Sequence, residues 1–219
     1  MDSSVWVLNL TFAFVTSLLL GMRHATDSDH IVAVSTIVSR ERSLTRAGGI
    51  GVLWGAGHTL TIFVVGGAII AFKTAFTPTV GLSLELTVAV MLIALGTMNV
   101  FDIRPRNAAL NTARPFIVGV VHGLAGSAAA TLLVLPLIAD VRWAIVYLAV
   151  FGVGTIIGMA IVTVVIAAPT LLIAKRAASI ERSLQLAFGA VSVVFGLYLA
   201  SKIGFSDGLF VGRAVWTPR

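Results

Sequence analysis

The chain contains four histidines, and each of them lies in a strongly apolar stretch of sequence. The first two enclose a pair of aspartates in the segment RHATDSDH, which runs from Arg23 to His30. Imidazole nitrogen and carboxylate oxygen together suit nickel, cobalt, zinc and manganese ions. The chain has no cysteine, so thiolate ligands are excluded. The candidate metal ligands are therefore His24, Asp27, Asp29, His30, His58 and His122.

A regular helix cannot present all polar groups of the RHATDSDH segment on one side. At 100° per residue, Asp29 points about 140° away from His24, whereas Asp27 lies on the same side as His24. Thr26, Asp27 and Ser28 are residue types that commonly begin helices. We therefore predict that the first membrane helix is broken at this motif, and that the break allows its imidazoles and carboxylates to converge.

The same groups have an ordinary structural explanation. A charged side chain at the centre of a bilayer costs at least about 2.5–3.5 kcal/mol, so such groups survive only with a partner, water or a metal. Arg23 can neutralise an aspartate, and isolated intramembrane histidines usually bond to neighbouring helices. Two histidines and two aspartates within seven residues favour a metal site instead. Asp27 is predicted to hold a histidine in the tautomer that binds the ion.

The composition places the chain in a membrane. It is 58% hydrophobic and 11% charged, with a mean hydropathy of +1.04, whereas soluble domains are about 45–50% apolar and about a quarter charged. The net charge of +6 comes from basic residues that stand singly or in small groups between apolar segments. Nucleic-acid binding is therefore not expected. No basic residue precedes the first apolar run, so a cleaved signal peptide is not expected either.

The apolar runs predict six transmembrane helices, because each can cross roughly 30 Å of hydrocarbon. Basic residues cluster in the alternate connections 40–46, 104–114 and 175–182. The positive-inside rule places these connections in the cytoplasm and both termini outside, in a multi-pass protein of the cell (inner) membrane. The predicted spans are 5–38, 48–72, 82–101, 116–138, 143–173 and 184–203.

The two halves of the sequence contain an ordered repeat with an offset near 100 residues. Each copy would hold three spans, an odd number, so the second copy would enter the membrane from the opposite side, as in many secondary transporters. We predict one all-α transmembrane domain over 1–219, with repeats at about 5–103 and 113–203. Chance recurrence of small residues is the alternative. The matching positions are Gly21 and His24 with Gly119 and His122, Gly55 and Gly57 with Gly152 and Gly154, and Leu84, Leu86 and Gly96 with Leu184, Leu186 and Gly196.

Several other polar residues fall within or beside the predicted spans. Thr59, Asn99 and Ser127 are predicted to line a pathway, although hydrogen bonding between helices is the commoner use of such residues. Glu85 lies near the outer end of its span, where a carboxylate can gather cations. The segment 204–219 is expected to be a short amphipathic or loose tail without a function.

The long motif resembles the signature of the nickel/cobalt transporter (NiCoT) family, often written RHAxDADHI. A second family element, Gly-His-Ser/Thr in the following helix, is similar to Gly57-His58-Thr59. The resemblance implies that His24, Asp29, His30 and His58 act in metal binding and transport. The chain lacks the acidic residue that the family carries later, because the segment beginning at His122 reads HGLAGSAAA. It is thus similar to compact permeases of the urease-accessory type.

Residues and resemblance together predict a permease, not an enzyme, that takes up nickel or cobalt as its cargo and has no permanently bound cofactor. An efflux permease would use the same ligands. An intramembrane hydrolase would use Ser127 as the nucleophile and a histidine as the base, but the chain has no HExxH motif and no plausible nucleophile elbow. A purely structural subunit leaves the buried aspartates unexplained. The sequence leaves the preferred ion, the coupling ion and the oligomeric state open.

Overall fold

The computed structural model describes residues 3–72, 77–103, 107–134, 140–174 and 178–216. Within these ranges the chain is helical and contains no strand. Two short π-helical segments occur, Ile62–Gly66 between α3 and α4 and Lys202–Ser206 after α8. The helices are α1 Ser3–His24, α2 Ser28–Val38, α3 Leu44–Thr61, α4 Gly67–Phe72, α5 Pro78–Val100, α6 Ala108–Val134, α7 Val141–Ala174 and α8 Ala178–Ser201.

The protein is a helical membrane protein. Four helical stretches in the described part of the chain are long and apolar enough to cross a bilayer: Leu44–Ile69, Pro78–Val100, Val141–Leu172 and Ile180–Ser206. Large apolar side chains point outward from them, as lipid contact requires. Six crossings, with α1–α2 and α6 as the other two, stay a prediction.

The predicted break in the first span is confirmed. Helix α1 ends at His24 and α2 begins at Ser28. The backbone of Asp27 is extended, as expected for the residue before a helix, but its carboxylate makes no capping hydrogen bond. It contacts His24 instead, with 2.8 Å between Oδ2 and Nδ1. A residue type that normally caps a helix thus faces an imidazole.

Glycines allow the helix backbones around the centre to touch. A Cβ on Gly21 of α1 would lie 2.1 Å from the carbonyl oxygen of Phe151 in α7, so no larger residue fits. A Cβ on Gly119 of α6 would lie 2.1 Å from the carbonyl oxygen of Trp54 in α3. These two close contacts occur at positions that match in the sequence repeat. They bring α1 against α7 and α6 against α3.

The C-terminal segment is more ordered than the sequence indicated. The amide of Val215 donates to the carbonyl of Asp207 at 2.9 Å. Leu209, Ala214 and Trp216 pack beside the buried residues of α5 and of the segment that follows α8. Of the two expected forms, residues 207–216 match an amphipathic tail and not a loose one, because Leu209, Ala214 and Trp216 are packed while Phe210, Val211 and Val215 are more than half exposed.

Candidate metal centre

Four helices bring the four histidines into one cluster. His24 is the last residue of α1, His30 lies in the first turn of α2, His58 is in α3 and His122 is in α6. The Nε2 atoms of His24 and His58 are 3.0 Å apart. The rings of His30 and His122 stack with 4.0 Å between their centroids. His30, His58 and His122 are at most 1% exposed.

His58 and His122 lie far along their helices. Each follows the first residue of its helix by fourteen positions, which is about 21 Å at 1.5 Å per residue. The hydrocarbon core of a bilayer is roughly 30 Å thick, so the predicted six-span topology would place the cluster inside the membrane. Because His30, His58 and His122 are almost fully buried, the partners of their ring nitrogens must come from the protein or from a bound ion.

The two aspartates contact the imidazoles through their carboxylate oxygens. Asp27 contacts only His24 among the histidines. Asp29 contacts two rings, because Oδ1 is 3.1 Å from Nδ1 of His30 and Oδ2 is 2.9 Å from Nε2 of His122. A neutral imidazole has one N–H and one nitrogen with a free lone pair. Donation of the N–H to a carboxylate leaves the other nitrogen free to bind a cation.

Several buried nitrogens of the cluster have no hydrogen-bond partner among the described residues. They are Nε2 of His30, Nδ1 of His58 and Nδ1 of His122, together with Nε1 of the adjacent Trp54. Buried polar atoms without a partner are rare, and each requires an explanation. The aspartates explain which nitrogen is free in His30 and His122. A cation at the centre of the cluster would explain the three free imidazole nitrogens, but not the indole N–H, which can only donate.

The potential ligand atoms form two overlapping groups. One group contains His24, His30 and His58, and the other contains Asp29, His30 and His122. Within each group the atoms lie within 4.8 Å of one another. His30 belongs to both groups and is therefore central to the site.

Trp54 packs against the cluster, although no motif in the sequence contains it. Its side chain is fully buried and stacks on the ring of His30, with centroids 5.9 Å apart and planes 15° apart. The same indole is 5.7 Å from the ring of His122. Trp54 precedes His58 by four residues on α3, so the two lie on one helix face. This four-residue spacing is the sequence feature that could have identified Trp54 as a neighbour of His58.

A cavity of about 410 Å³ leads to the cluster. It lies between the start of α5 and the end of α8, since Glu85 and Ile203 line it together with His30 and His122. Its charged lining residues are Asp27, Asp29 and Glu85, and no lysine or arginine lines it in the described part of the chain. The cavity is therefore suited to attract a cation.

A second cavity, of about 730 Å³, lies at the opposite ends of the same helices. Its lining includes Arg40, Arg42, Arg46 and Arg114, and Glu41 and Glu181 are its only acids among the described residues. A buried apolar cluster that includes Val34, Val38, Leu92 and Trp54 occupies the core of the bundle. The imidazoles His30 and His122 line the acidic cavity and do not line the arginine-rich one.

Two of the three residues predicted to line a pathway, Thr59 and Asn99, make hydrogen bonds between helices away from the cluster. The Thr59 hydroxyl donates to the Gly152 carbonyl at 3.1 Å, between α3 and α7. Asn99 lines the arginine-rich cavity, where its amide donates to the carbonyl of Gln185 at 3.1 Å. The side chain of Ser127 lies outside the described part of the structure.

Apolar helices around a buried cluster of imidazoles and carboxylates define a polytopic membrane protein with a candidate site for a divalent transition-metal ion. The chain is 33% identical to the urease accessory protein UreH of Bacillus sp. (strain TB-90), over 92% of this chain and 94% of that protein. It therefore belongs to the UreH family. No protein-family model and no solved structure matches the chain.

Proposed function

We propose that the protein is a permease, not an enzyme, that takes up Ni²⁺ or Co²⁺ through the histidine cluster. The observation that carries the proposal is the set of buried imidazole nitrogens that have no partner among the described residues and lie beside a cavity lined by carboxylates. The resemblance of the RHATDSDH motif to NiCoT transporters supports the same cargo. The Bacillus relative is named as an accessory protein of urease. Urease is a nickel enzyme, so a nickel carrier fits that role.

The ion is bound mainly by imidazole nitrogens in this proposal. His24, His30 and His58 form the primary ligand group, because the oxygens of Asp29 already accept from His30 and His122. Asp29 and Asp27 hold the rings and offset the positive charge of the ion in a medium of low dielectric constant. His122 lies beside this group and is a further ligand in the proposal. The sequence-based assignment of Asp29 as a direct ligand thus becomes a proposal that Asp29 orients two ligands.

The contact between His24 and His58 is a hydrogen bond. Nε2 of His24 and Nε2 of His58 are 3.0 Å apart, which is an ordinary hydrogen-bond distance. Because Nδ1 of His24 faces the carboxylate of Asp27, His24 accepts through Nε2 and His58 donates. The nitrogen of His58 with the free lone pair is then Nδ1.

We also propose six membrane crossings in two inverted repeats. The matching close contacts of Gly21 with α7 and of Gly119 with α3 support a two-fold relation between the halves. A second pair supports it as well: a Cβ on Gly57 would lie 2.2 Å from the Phe116 carbonyl, and one on Gly154 would lie 2.2 Å from the Leu18 carbonyl. Because the arginine-rich ends face the cytoplasm in this topology, the acidic cavity opens outward. That orientation favours uptake over efflux.

Metal uptake by vesicles that contain the purified protein tests the function. We expect saturable uptake of Ni²⁺ and Co²⁺, and weaker uptake of Zn²⁺ and Mn²⁺ at equal concentration. Vesicles without protein give the background. Equal rates with and without the protein for every ion would contradict the proposal, and preferential release from loaded cells would favour the efflux alternative.

Cysteine labelling tests the proposed topology. The chain has no cysteine of its own, so single cysteines can replace Ser43 or Asn107 on the arginine-rich side and Val211 in the C-terminal segment. We expect a membrane-impermeant maleimide added to intact cells to label the cysteine at 211 and to miss the other two. All three should react after the membrane is permeabilised. Labelling of position 43 or 107 in intact cells would reverse the orientation.

A further inference from the structure

Glu85 lines the acidic cavity but belongs to a helix that provides none of the proposed ligands. It lies on α5 and shares the cavity wall with Tyr198 and Ile203 from α8 and its extension. Deeper in the same cavity are His30 and His122, each with a buried nitrogen that has no partner among the described residues. The cavity thus has a carboxylate on one wall and free metal-binding nitrogens on another.

The carboxylate of Glu85 is not neutralised by a cation in the described part of the chain. Its Oε1 accepts a hydrogen bond from Nε1 of Trp216 at 2.8 Å. The nearby Lys202 pairs with Asp207, with 3.0 and 3.1 Å between Nζ and the two carboxylate oxygens. The indole N–H can orient Glu85 while leaving its negative charge available to a cation.

Trp216 is held in place by the C-terminal segment. A Cβ on Gly81 would lie 2.5 Å from the indole ring, so the ring lies directly on the backbone of α5, one turn before Glu85. The same indole packs against the buried cluster of Leu82, Ala89 and Ile203. Residues 207–216 therefore position the hydrogen-bond donor that Glu85 uses.

We propose that Glu85 forms an outer capture position for the hydrated divalent cation, and that Trp216 positions its carboxylate. This inference rests on the proposed function, because it assigns the first step of the path to the histidine cluster. Six water molecules at about 30 Å³ each occupy roughly 180 Å³, so a cavity of about 410 Å³ can admit a hydrated ion. A charged cleft raises the local concentration of its counter-ion and the rate of association.

The test compares Glu85→Gln with Asp140→Asn. Asp140 precedes α7 at the same end of the bundle and accepts from the Arg142 amide, a role that asparagine can also fill. For Ni²⁺ uptake we expect Glu85→Gln to raise KM by about 3- to 10-fold with Vmax within about twofold. Asp140→Asn should leave both unchanged. Trp216→Phe, which keeps an aromatic side chain and removes the N–H, should raise KM by a smaller factor.

A measurement that does not need transport separates this inference from the proposed function. Co²⁺ is mixed rapidly with the purified protein, and its d–d absorption is followed as it reaches the histidine cluster. Glu85→Gln should slow association, reduce its dependence on ionic strength and leave the final spectrum unchanged. Equal association rates in the variant and the parent would overturn the capture role. A changed final spectrum would also overturn it, by placing Glu85 in the deep site. Normal binding without uptake in the parent would contradict only the permease proposal.

Discussion

Replacing His30 with alanine is expected to reduce Ni²⁺ uptake to the level of vesicles without protein. His30 is the one residue shared by the two groups of potential ligand atoms, and its free Nε2 is fully buried. Loss of a residue that merely orients a ligand typically costs 10- to 100-fold in affinity or activity. Loss of a shared ligand should cost at least about 100-fold. Initial rates at several Ni²⁺ concentrations, normalised to the amount of protein in the vesicles, measure the effect.

A fully buried polar residue away from the cluster provides the control. Ser192 of α8 donates to the carbonyl of Leu92 at 2.8 Å and lines neither cavity. Ser192→Ala should retain most of the uptake, which would show that removal of a buried polar side chain is tolerated. Size-exclusion profiles of both variants check that each is folded. If a His24→Ala, His30→Ala double variant carried nickel at the parental rate, the permease proposal would have to be abandoned.

The sequence predicted which polar side chains the structure brings together, because they are conspicuous in an apolar chain. A run of two histidines and two aspartates between helical segments has few structural uses, and residues such as Asp27 favour a helix start. The break between His24 and Ser28 followed from these features. The approach of His58 from the next helix followed from the resemblance, since no local pattern connects it with the motif.

Other features depend on tertiary geometry that no local pattern contains. Helix α6 continues through His122, because the following Gly123, Leu124 and Ala125 provide no side chain that favours a new helix start. The two halves therefore differ at their matching histidines, and only the first is broken. Glu85 and the cluster share a cavity only because α5 and α8 pack beside α2 and α6.

The assignment of the two aspartates also required the structure. On sequence grounds either carboxylate can bind the ion or orient a histidine. In the structure Asp29 contacts two imidazoles, whereas Asp27 contacts one and has a more exposed side chain, at 46% against 32%. The two residues have the same side chain and lie two positions apart in the sequence. They therefore form a matched pair for a test that separates charge from geometry.

Asp29→Asn is expected to lower Ni²⁺ uptake by about 10- to 100-fold, and Asp27→Asn by less than about threefold. An asparagine at 27 can turn its amide oxygen toward Nδ1 of His24 and still accept its proton. An asparagine at 29 has one oxygen for two N–H groups, so its NH₂ faces either His30 or His122. That ring must then change tautomer, which places an N–H where the ion would bind.

X-ray absorption at the nickel edge provides a second readout for this pair. Multiple scattering reports how many imidazoles bind the ion, so Asp29→Asn should bind fewer imidazoles than Asp27→Asn or the parent. Equal losses of uptake in the two variants would instead show that the negative charge matters and not the number of accepting oxygens. A nickel spectrum of Asp29→Asn with all its imidazoles retained and one oxygen ligand lost would make Asp29 a direct ligand. If Asp29 orients its neighbours, Asp29→Asn should instead lose imidazole ligands and keep its oxygen ligands. That expectation rests on the contacts of Asp29, because each of its carboxylate oxygens lies within 3.1 Å of a different imidazole nitrogen.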